Sequence, residues 1–278
     1  MPAKRREFEG SALISIKGCT FSMINKDYPI LEFDHDRDAF IRPERLLAPI
    51  EGMSERAVLC FFTDAIEKFL AEHPHEKITQ LRGEGLIVPV YQVEYKGEKI
   101  VLVQAIVGAP WAAGHMEELT AYGCRKYMAC GGCGVLQKDI AVGQLIIPVA
   151  AIRDEGTSYH YAPPSREMTM DERVVQVIEA ELTKQNAPYI KGKTWTTDAF
   201  FRETPAKIKL RKEENCIAVD MEASAFMAVA AYNNVDFGQI FYAGDNLGGE
   251  EWDGRKWQSR TDIREAVLKL TMDVCLAL

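Results

Sequence analysis

The apolar positions of this chain alternate between strand-like and helix-like spacing. Residues 86–95 and 99–107 are two β-rich runs on either side of Lys96-Gly97, and this pattern predicts a β-hairpin. Each further apolar run of strand length is bounded by polar or glycine residues. These runs predict strands at residues 126–130, 144–152, 216–219 and 238–243.

Other segments place apolar residues at helical spacing. The first predicted helix begins after Ser54, includes Val58, and ends at His73-Pro74. Gly123 suits the position that follows a helix, so a helix over 112–122 is expected to end there. The remaining predicted helices follow a capping box at Thr169 to Glu172, span residues 222–232, and run from about Thr261 to the C-terminus.

Strands that alternate with helices predict an α/β layer fold. We expect a single-domain three-layer α/β/α architecture with a central mixed, largely parallel sheet. No internal repeat, low-complexity tract or linker divides the sequence, so one domain is predicted over residues 1–278, with an irregular N-terminal segment over 1–50. A chain of 278 residues is long enough for a sizeable buried core.

Composition and charge narrow the class of function. The net charge is −8 and there is no long basic block, which gives little support to nucleic-acid binding. No window approaches the roughly 18 apolar residues of a membrane span. Glu7 and Glu9 stand where a signal peptide needs an apolar stretch. We therefore expect a cytoplasmic protein with neither nucleic acid nor membrane as a partner.

Candidate chemistry lies at three strand-to-helix junctions, because ligands of α/β sheets bind beyond the carboxyl ends of the strands. The first junction is the glycine cluster at residues 131–134, which lets backbone approach an anion. At the second, Glu222 opens an alanine-rich helix, although a helix N-terminus favours any acidic residue. The third ends a strand at Asp245, and a turn residue is its simpler explanation.

The glycine cluster also contains Cys130-Gly-Gly-Cys133, which spells a redox or metal pair. The sequence has no second Cys/His pair at zinc spacing, and the segment after Cys133 leads to a loop instead of a helix. The chain has seven cysteines, mostly within apolar runs, as is typical of buried thiols. We therefore expect packed thiols here.

Taken together and in order, the junctions resemble the nucleoside phosphorylases of the uridine phosphorylase and hexameric purine nucleoside phosphorylase type. Residues 131–148 are similar to the family's core signature, in which a strand enters a Gly-Thr/Ser-x-Gly loop. Residues 153–163 are similar to its Arg-x-Asp-Gly-x-Ser-x-His-Phe-Ala-Pro stretch, and residues 219–225 match its Met-Glu motif. The resemblance runs from about residue 85 to the C-terminus.

The resemblance implies roles for individual residues. Glu222 would accept hydrogen bonds from the ribose hydroxyls, with Met221 packing under the sugar. Asp245 falls where purine-cleaving members place a general acid for the base. Phe200 or Phe201 would stack on the base, and Arg202 would help to recognise it together with Asp245. Asp245 favours a purine and residues 153–163 favour the uridine type, so the sequence does not decide between a purine and a pyrimidine base.

Phosphate recognition departs from the family pattern. Residues 32–37 align loosely with the first phosphate loop, in which Arg37 would keep the guanidinium. Ala129 and Gly132 stand where the family has an arginine and a threonine, which removes a bidentate phosphate clamp. The backbone amides of Gly131 and Gly132 are expected to form an anion-binding nest instead. Phosphate is expected as a co-substrate, without a metal or organic cofactor.

Three functions follow from the resemblance. The first is a phosphorylase that converts a nucleoside and phosphate into free base and pentose 1-phosphate. The second is a nucleosidase of the same fold that uses water, and the third is a non-catalytic nucleoside-binding protein. Arg37 favours the first, whereas the pairing of Glu222 with Asp245 counts against the third. The family implies a homodimer or a trimer of dimers. Residues 248–258 have no counterpart there, and an ordinary surface loop is expected.

Overall fold

A computed structural model describes residues 27–278, which form ten strands in one sheet, with seven helices. The strands are β1 Arg56–Cys60, β2 His75–Gly83, β3 Leu86–Tyr95, β4 Glu98–Gln104, β5 Lys126–Val135, β6 Leu145–Asp154, β7 Glu167–Thr169, β8 Tyr189–Thr197, β9 Cys216–Asp220 and β10 Asp236–Asn246. The helices are α1 Pro43–Leu46, α2 Thr63–Glu72, α3 Ala109–Tyr122, α4 Glu172–Lys184, α5 Pro205–Glu213, α6 Ala223–Asn233 and α7 Thr261–Ala277.

One half of the sheet closes into a ring. Strand β5 pairs with β9 and β10, β6 pairs with β8 and β10, and β8 pairs with β9. From β5 the sheet continues outward through β1, β4, β3 and β2. Parallel pairings join β1, β4, β5 and β10, whereas β2 and β3 are antiparallel. The predicted α/β fold with a mixed sheet is confirmed.

Two groups of helices cover the sheet, α3 with α6, and α2 and α4 with α7. Helix α6 also contacts β6 and β10, while α7 contacts β1 and β5. The carboxyl ends of β5, β9 and β10 are thereby flanked by the N-termini of several helices, which is where α/β proteins bind ligands.

The helix predicted to begin after Ser54 is wrong in its first part. Residues Arg56–Cys60 form strand β1, and α2 begins only at Thr63. Strand β1 lies between β4 and β5 in parallel pairing, and Ala57–Cys60 are at most 2% exposed. A strand that is buried on both faces has consecutive apolar residues, so its sequence lacks the alternation that would distinguish it from a helix.

The hairpin turn and the end of α3 agree with the sequence, whereas the cap of α4 does not. The hairpin is confirmed, and Lys96 and Gly97 both have positive φ, as a two-residue turn between twisted strands requires. Helix α3 ends before Gly123, which has a φ of 132° and accommodates the expected helix end. The capping box is wrong, because Thr169 ends β7 and Asp171 caps α4 by accepting from the amide of Arg173 at 2.8 Å. Strands β2, β7 and β8 and helix α5 were not predicted.

Between residues 27 and 50 the regular structure consists of a 3-10 turn at Pro29–Leu31 and the single-turn helix α1. The six cysteines of the described residues are all buried and free, as predicted, and Cys19 lies outside the described residues. None of the helices in residues 27–278 combines the length and apolar character that crossing a membrane requires.

Candidate functional site

A cavity of about 1130 Å³ opens at the carboxyl ends of β5, β9 and β10. Most of the residues that the sequence indicated contribute to its wall, although they come from distant parts of the chain. They are Gly131, Gly132, Phe200, Phe201, Met221, Glu222 and Asp245. Arg37 and Arg202 are not part of the lining.

Glu222 lies at the N-terminus of α6 and is only 6% exposed. Its side chain does not cap its own helix; instead, Oε1 accepts a hydrogen bond from the amide of Gly108 at 2.6 Å, next to the start of α3. Burial, reinforced by the nearby charge of Asp220, raises the pKa of Glu222 to about 8. A helix-end charge alone therefore does not account for this residue.

Asp220 holds the backbone that presents Glu222. Its Oδ2 accepts from the amides of Glu222 and Ala223 at 2.8 and 2.6 Å. Its Oδ1 accepts from the hydroxyls of Thr194 and Thr196 on β8 at 2.9 and 3.0 Å. Asp220 was not predicted as a site residue, although an aspartate just before a helix is a recognisable capping signal.

Residues 153–163 support the same helix from outside the cavity. Glu155 accepts from the hydroxyl of Ser224 at 2.9 Å and from the amide of Ser158 at 2.9 Å. Arg153 donates to the carbonyls of Ala162 and Pro163 within the segment. None of residues 153–163 is part of the cavity lining within this chain.

Asp245 and Glu203 both line the cavity. Asp245 lies near the end of β10, where its Oδ2 accepts from the indole N–H of Trp252 at 2.7 Å, so it is not merely a turn residue. Burial, together with the charge of Asp245, raises the pKa of Glu203 to about 7. Arg202, expected to recognise the base, is exposed and outside the lining, whereas its neighbour Glu203, from the same predicted base-pocket segment, lines the cavity.

The glycine cluster does not form the expected nest. Gly131 and Gly132 lie inside strand β5, pair with β10, and have no positive φ, whereas a nest needs alternating helical conformations. A Cβ at Gly131 would lie 2.9 Å from the ring of Phe61, and one at Gly132 would lie 3.0 Å from the ring of Trp257. These glycines therefore make room for aromatic rings that line the cavity.

Cys130 and Cys133 are three residues apart in the same strand, so their side chains lie on opposite faces of the sheet. Burial raises the pKa of the Cys133 thiol well above its usual range and disfavours the thiolate that redox or metal chemistry needs. Packed thiols, as expected from the sequence, agree with this geometry.

Arg37 does not reach the cavity within one chain. Its guanidinium lies 4.1 Å from the ring centroid of Tyr232 and donates to the carbonyl of the same residue. The arginine at the cavity is Arg264 in α7, whose Nη1 lies 3.2 and 3.3 Å from the two carboxylate oxygens of Asp64. No local pattern around Arg264 indicated this position.

The cavity is rich in carboxylates. Six line it, against three cationic side chains. The carboxylates are Glu203, Asp220, Glu222, Asp245, Glu250 and Glu251, and the cations are Lys209, Lys212 and Arg264. Residues 249–252 and 257–258 also contribute to the wall, so the segment expected to be an ordinary surface loop is part of the site.

The sequence profile of the phosphorylase superfamily matches residues 55–275. A guanosine phosphorylase from Halorubrum lacusprofundi is 25% identical over 206 residues, which cover 72% of this chain and 85% of the relative. The structure of a purine nucleoside phosphorylase from Toxoplasma gondii in complex with immucillin-H has a TM-score of 0.70 at 18% identity, covering 81% and 91% of the two chains. An AMP nucleosidase from Bacteroides thetaiotaomicron has a TM-score of 0.63 at 22% identity, covering 80% and 87%.

The buried carboxyl of Glu222 generates a prediction about stability. Because its pKa is raised to about 8, the folded protein retains a proton that the unfolded chain releases above its ordinary pKa of 4.5. The stabilisation that comes from keeping Glu222 protonated is complete below pH 4.5 and is lost as the pH rises through 8. The glutamine of Glu222→Gln cannot ionise, so its Tm should rise relative to the wild-type Tm between pH 5 and 9. The rise should be about 2–4 °C for each kcal/mol of unfolding free energy that the wild type loses.

Calorimetry of both proteins across this pH range checks the prediction, with exposed Glu84→Gln as the control that should follow the wild type. Parallel Tm curves for the wild type and Glu222→Gln would show that burial does not perturb this carboxyl.

Proposed function

This chain belongs to the phosphorylase superfamily, and from that premise we propose that it cleaves the N-glycosidic bond of a nucleoside and releases the free base. The observation that carries the proposal is the presence of Glu222 and Asp245 in one cavity, on elements that the sheet brings together. Cleavage of this bond develops positive charge on the sugar and negative charge on the base. A buried carboxylate suits the first, and a carboxylic acid suits the second.

In this proposal Glu222 binds the ribose. The amide of Gly108 fixes one end of its carboxyl group at 2.6 Å, so the group has a defined orientation towards the sugar. Met221, beside it in the cavity wall, offers an apolar surface to the sugar ring. Hydroxyl donors and the developing positive charge both favour the ionised form of Glu222, which burial disfavours in the free protein.

We propose a purine-type base. Asp245 is available to protonate a ring nitrogen, and Glu203 beside it adds a second group able to accept base N–H donors. The rings of Phe200 and Phe201, 4.2 Å apart at their centroids and 51% and 88% exposed, provide a surface for base stacking. The name of the Halorubrum relative, guanosine phosphorylase, supports the same base class.

We propose inorganic phosphate as the nucleophile, giving a pentose 1-phosphate as the second product, with no cofactor taking part. Arg264 supports this assignment, because it lines the cavity and its Nη2 makes no hydrogen bond within residues 27–278. A guanidinium suits a phosphate oxygen. Arg264 thus substitutes for the arginine that the family carries at the position of Ala129.

Water is the second candidate nucleophile, and the charge of the site favours it. Carboxyl groups outnumber cations in the cavity wall, although burial keeps Glu222 largely protonated near neutral pH, and Asp64 already compensates the charge of Arg264 at 3.2 Å. A dianion would therefore meet more repulsion than a neutral water molecule. The product would then be the free pentose.

We further propose a homodimer or a trimer of dimers in the cytoplasm. Support comes from exposed apolar side chains in the N-terminal segment, where Phe40 is fully exposed, Ile41 is 77% exposed and Leu46 is 70% exposed. Adjacent exposed apolar residues indicate an interaction surface. Arg37 in the same segment would then be able to serve the site of a partner subunit.

A nucleoside panel tests the activity and the nucleophile together. We expect release of free base from guanosine and inosine, measured by chromatography, only when phosphate is present. Equal release in phosphate-free buffer would contradict the phosphorylase proposal and support the nucleosidase. Thermal stabilisation by nucleosides without any release would leave only a binding function.

Asp245→Asn tests the leaving-group acid. The amide cannot deliver a proton, so turnover of guanosine should fall by about 10²–10⁴-fold, whereas any turnover of uridine should fall much less. The exposed Asp139→Asn, outside the cavity, is the control. Equal loss for both nucleosides would remove the reason for preferring a purine.

Arg264→Gln tests the phosphate contact. Loss of a charged donor should raise the KM for phosphate by at least about 10-fold and leave the KM for the nucleoside nearly unchanged. The matched control is Arg173→Gln, which removes an exposed arginine paired with Asp236. An unchanged KM for phosphate would assign phosphate binding to other residues.

A further inference from the structure

Trp252 is 67% exposed, yet its indole N–H donates to the carboxylate at the base side of the cavity. We propose that Trp252 is a positioning residue for Asp245, which holds Oδ2 so that Oδ1 delivers the proton to the leaving base. The inference rests on the proposed function, because it concerns the acid that assists departure of the base.

The segment that carries Trp252 is anchored at both ends. Asn246 and Asp253 exchange two backbone hydrogen bonds of 2.8 and 3.0 Å, which close residues 246–253 into a loop. Directly after it, Arg255 donates to the carbonyls of Gly244 at 2.8 Å and Ile140 at 2.6 Å. The backbone that carries Trp252 is therefore held close to the end of β10, where Asp245 lies.

Glycine residues provide the space for both partners. A Cβ at Gly254 would lie 2.8 Å from Cη2 of Trp252, so any larger residue would displace the ring. A Cβ at Gly134 would lie 3.5 Å from Oδ1 of Asp245 and 2.8 Å from the side chain of Val219. Oδ1 thus lies over a glycine of the strand that lines the cavity, while Oδ2 lies towards the indole.

The two oxygens of a carboxyl group are equivalent until a neighbour distinguishes them. Indole N–H is only a donor, so Oδ2 must accept, and Oδ1 carries the proton of the acid form. In the reaction, the electron pair of the bond between the sugar carbon and the base nitrogen passes to the base. The base takes the proton from Oδ1, and an oxygen of the attacking phosphate supplies the electron pair of the new bond to the sugar carbon; when water attacks instead, its oxygen supplies that pair and its surplus proton passes to the solvent. Trp252 then stabilises the resulting carboxylate, which lies near the carboxyl of Glu203.

A substrate that needs no protonation separates positioning from a merely structural role. 7-Methylguanosine carries a fixed positive charge on the base and leaves without a proton, whereas guanosine needs one. Trp252→Phe keeps the ring and removes the donor. We expect it to reduce kcat for guanosine by roughly 10-fold or more and kcat for 7-methylguanosine by less than about 2-fold, because only part of the acid's contribution is lost. The KM values should change little.

A double-mutant cycle and a matched control complete the test. If Trp252 acts through Asp245, the variant with both Trp252→Phe and Asp245→Asn should be no slower on guanosine than Asp245→Asn alone. Trp195 donates an equivalent indole bond to Asp154 at 2.9 Å outside the cavity. Trp195→Phe should lower the Tm without changing the ratio of the two rates.

The ratio of the two rates is independent of the folded fraction, since both substrates report on the same folded molecules. Should Trp252→Phe fail to fold, Gly254→Ala, which crowds the ring, is expected to change the ratio in the same direction. Equal slowing of both substrates, or additive effects in the cycle, would overturn the positioning role while leaving the activity in place. Absence of base release from either substrate by the wild type would instead refute the proposed function, and this inference with it.

Discussion

The buried carboxylate of Asp220 is the contact on which the site depends. It joins the end of β9 and the first turn of α6 to β8 through four hydrogen bonds, two from amides and two from threonine hydroxyls. This fixes the backbone at Glu222, whose own carboxyl then meets Gly108 at the start of α3. Burial raises the pKa of both acids, so the fold bears an electrostatic cost where the site needs a preorganised carboxyl.

Charge in the cavity is distributed differently from what a phosphate-binding loop would supply. The glycines of β5 pack against the rings of Phe61 and Trp257, and the only arginine in the lining among residues 27–278 comes from α7. Among the charged side chains of the wall, carboxyl groups outnumber cations six to three. Such a site favours ligands with many N–H and O–H donors, which describes both a ribose and a purine base.

Local sequence signals were sufficient for part of this description. The junctions that contain Glu222 and Asp245 were found because strand ends in α/β sheets collect functional residues, and the hairpin was found because Lys96-Gly97 suits one turn type. Strand β1 was mistaken for helix because a fully buried strand has no alternation. The segment 153–163 matched a pyrimidine-type motif, yet its polar side chains hold the fold together outside the cavity.

The sequence by itself determined the α/β class and the order of the main junctions, because apolar spacing and turn residues are local, and it indicated Glu222 and Asp245 by their places at strand ends. Only the tertiary structure placed Trp252 and Arg264 at the cavity and removed Arg37 and Arg202 from it. Gly108 and Glu222 are 114 residues apart, and Asp64 and Arg264 are 200 apart. Closure of the strand ring brings such residues together, and no local pattern records a contact made across that distance.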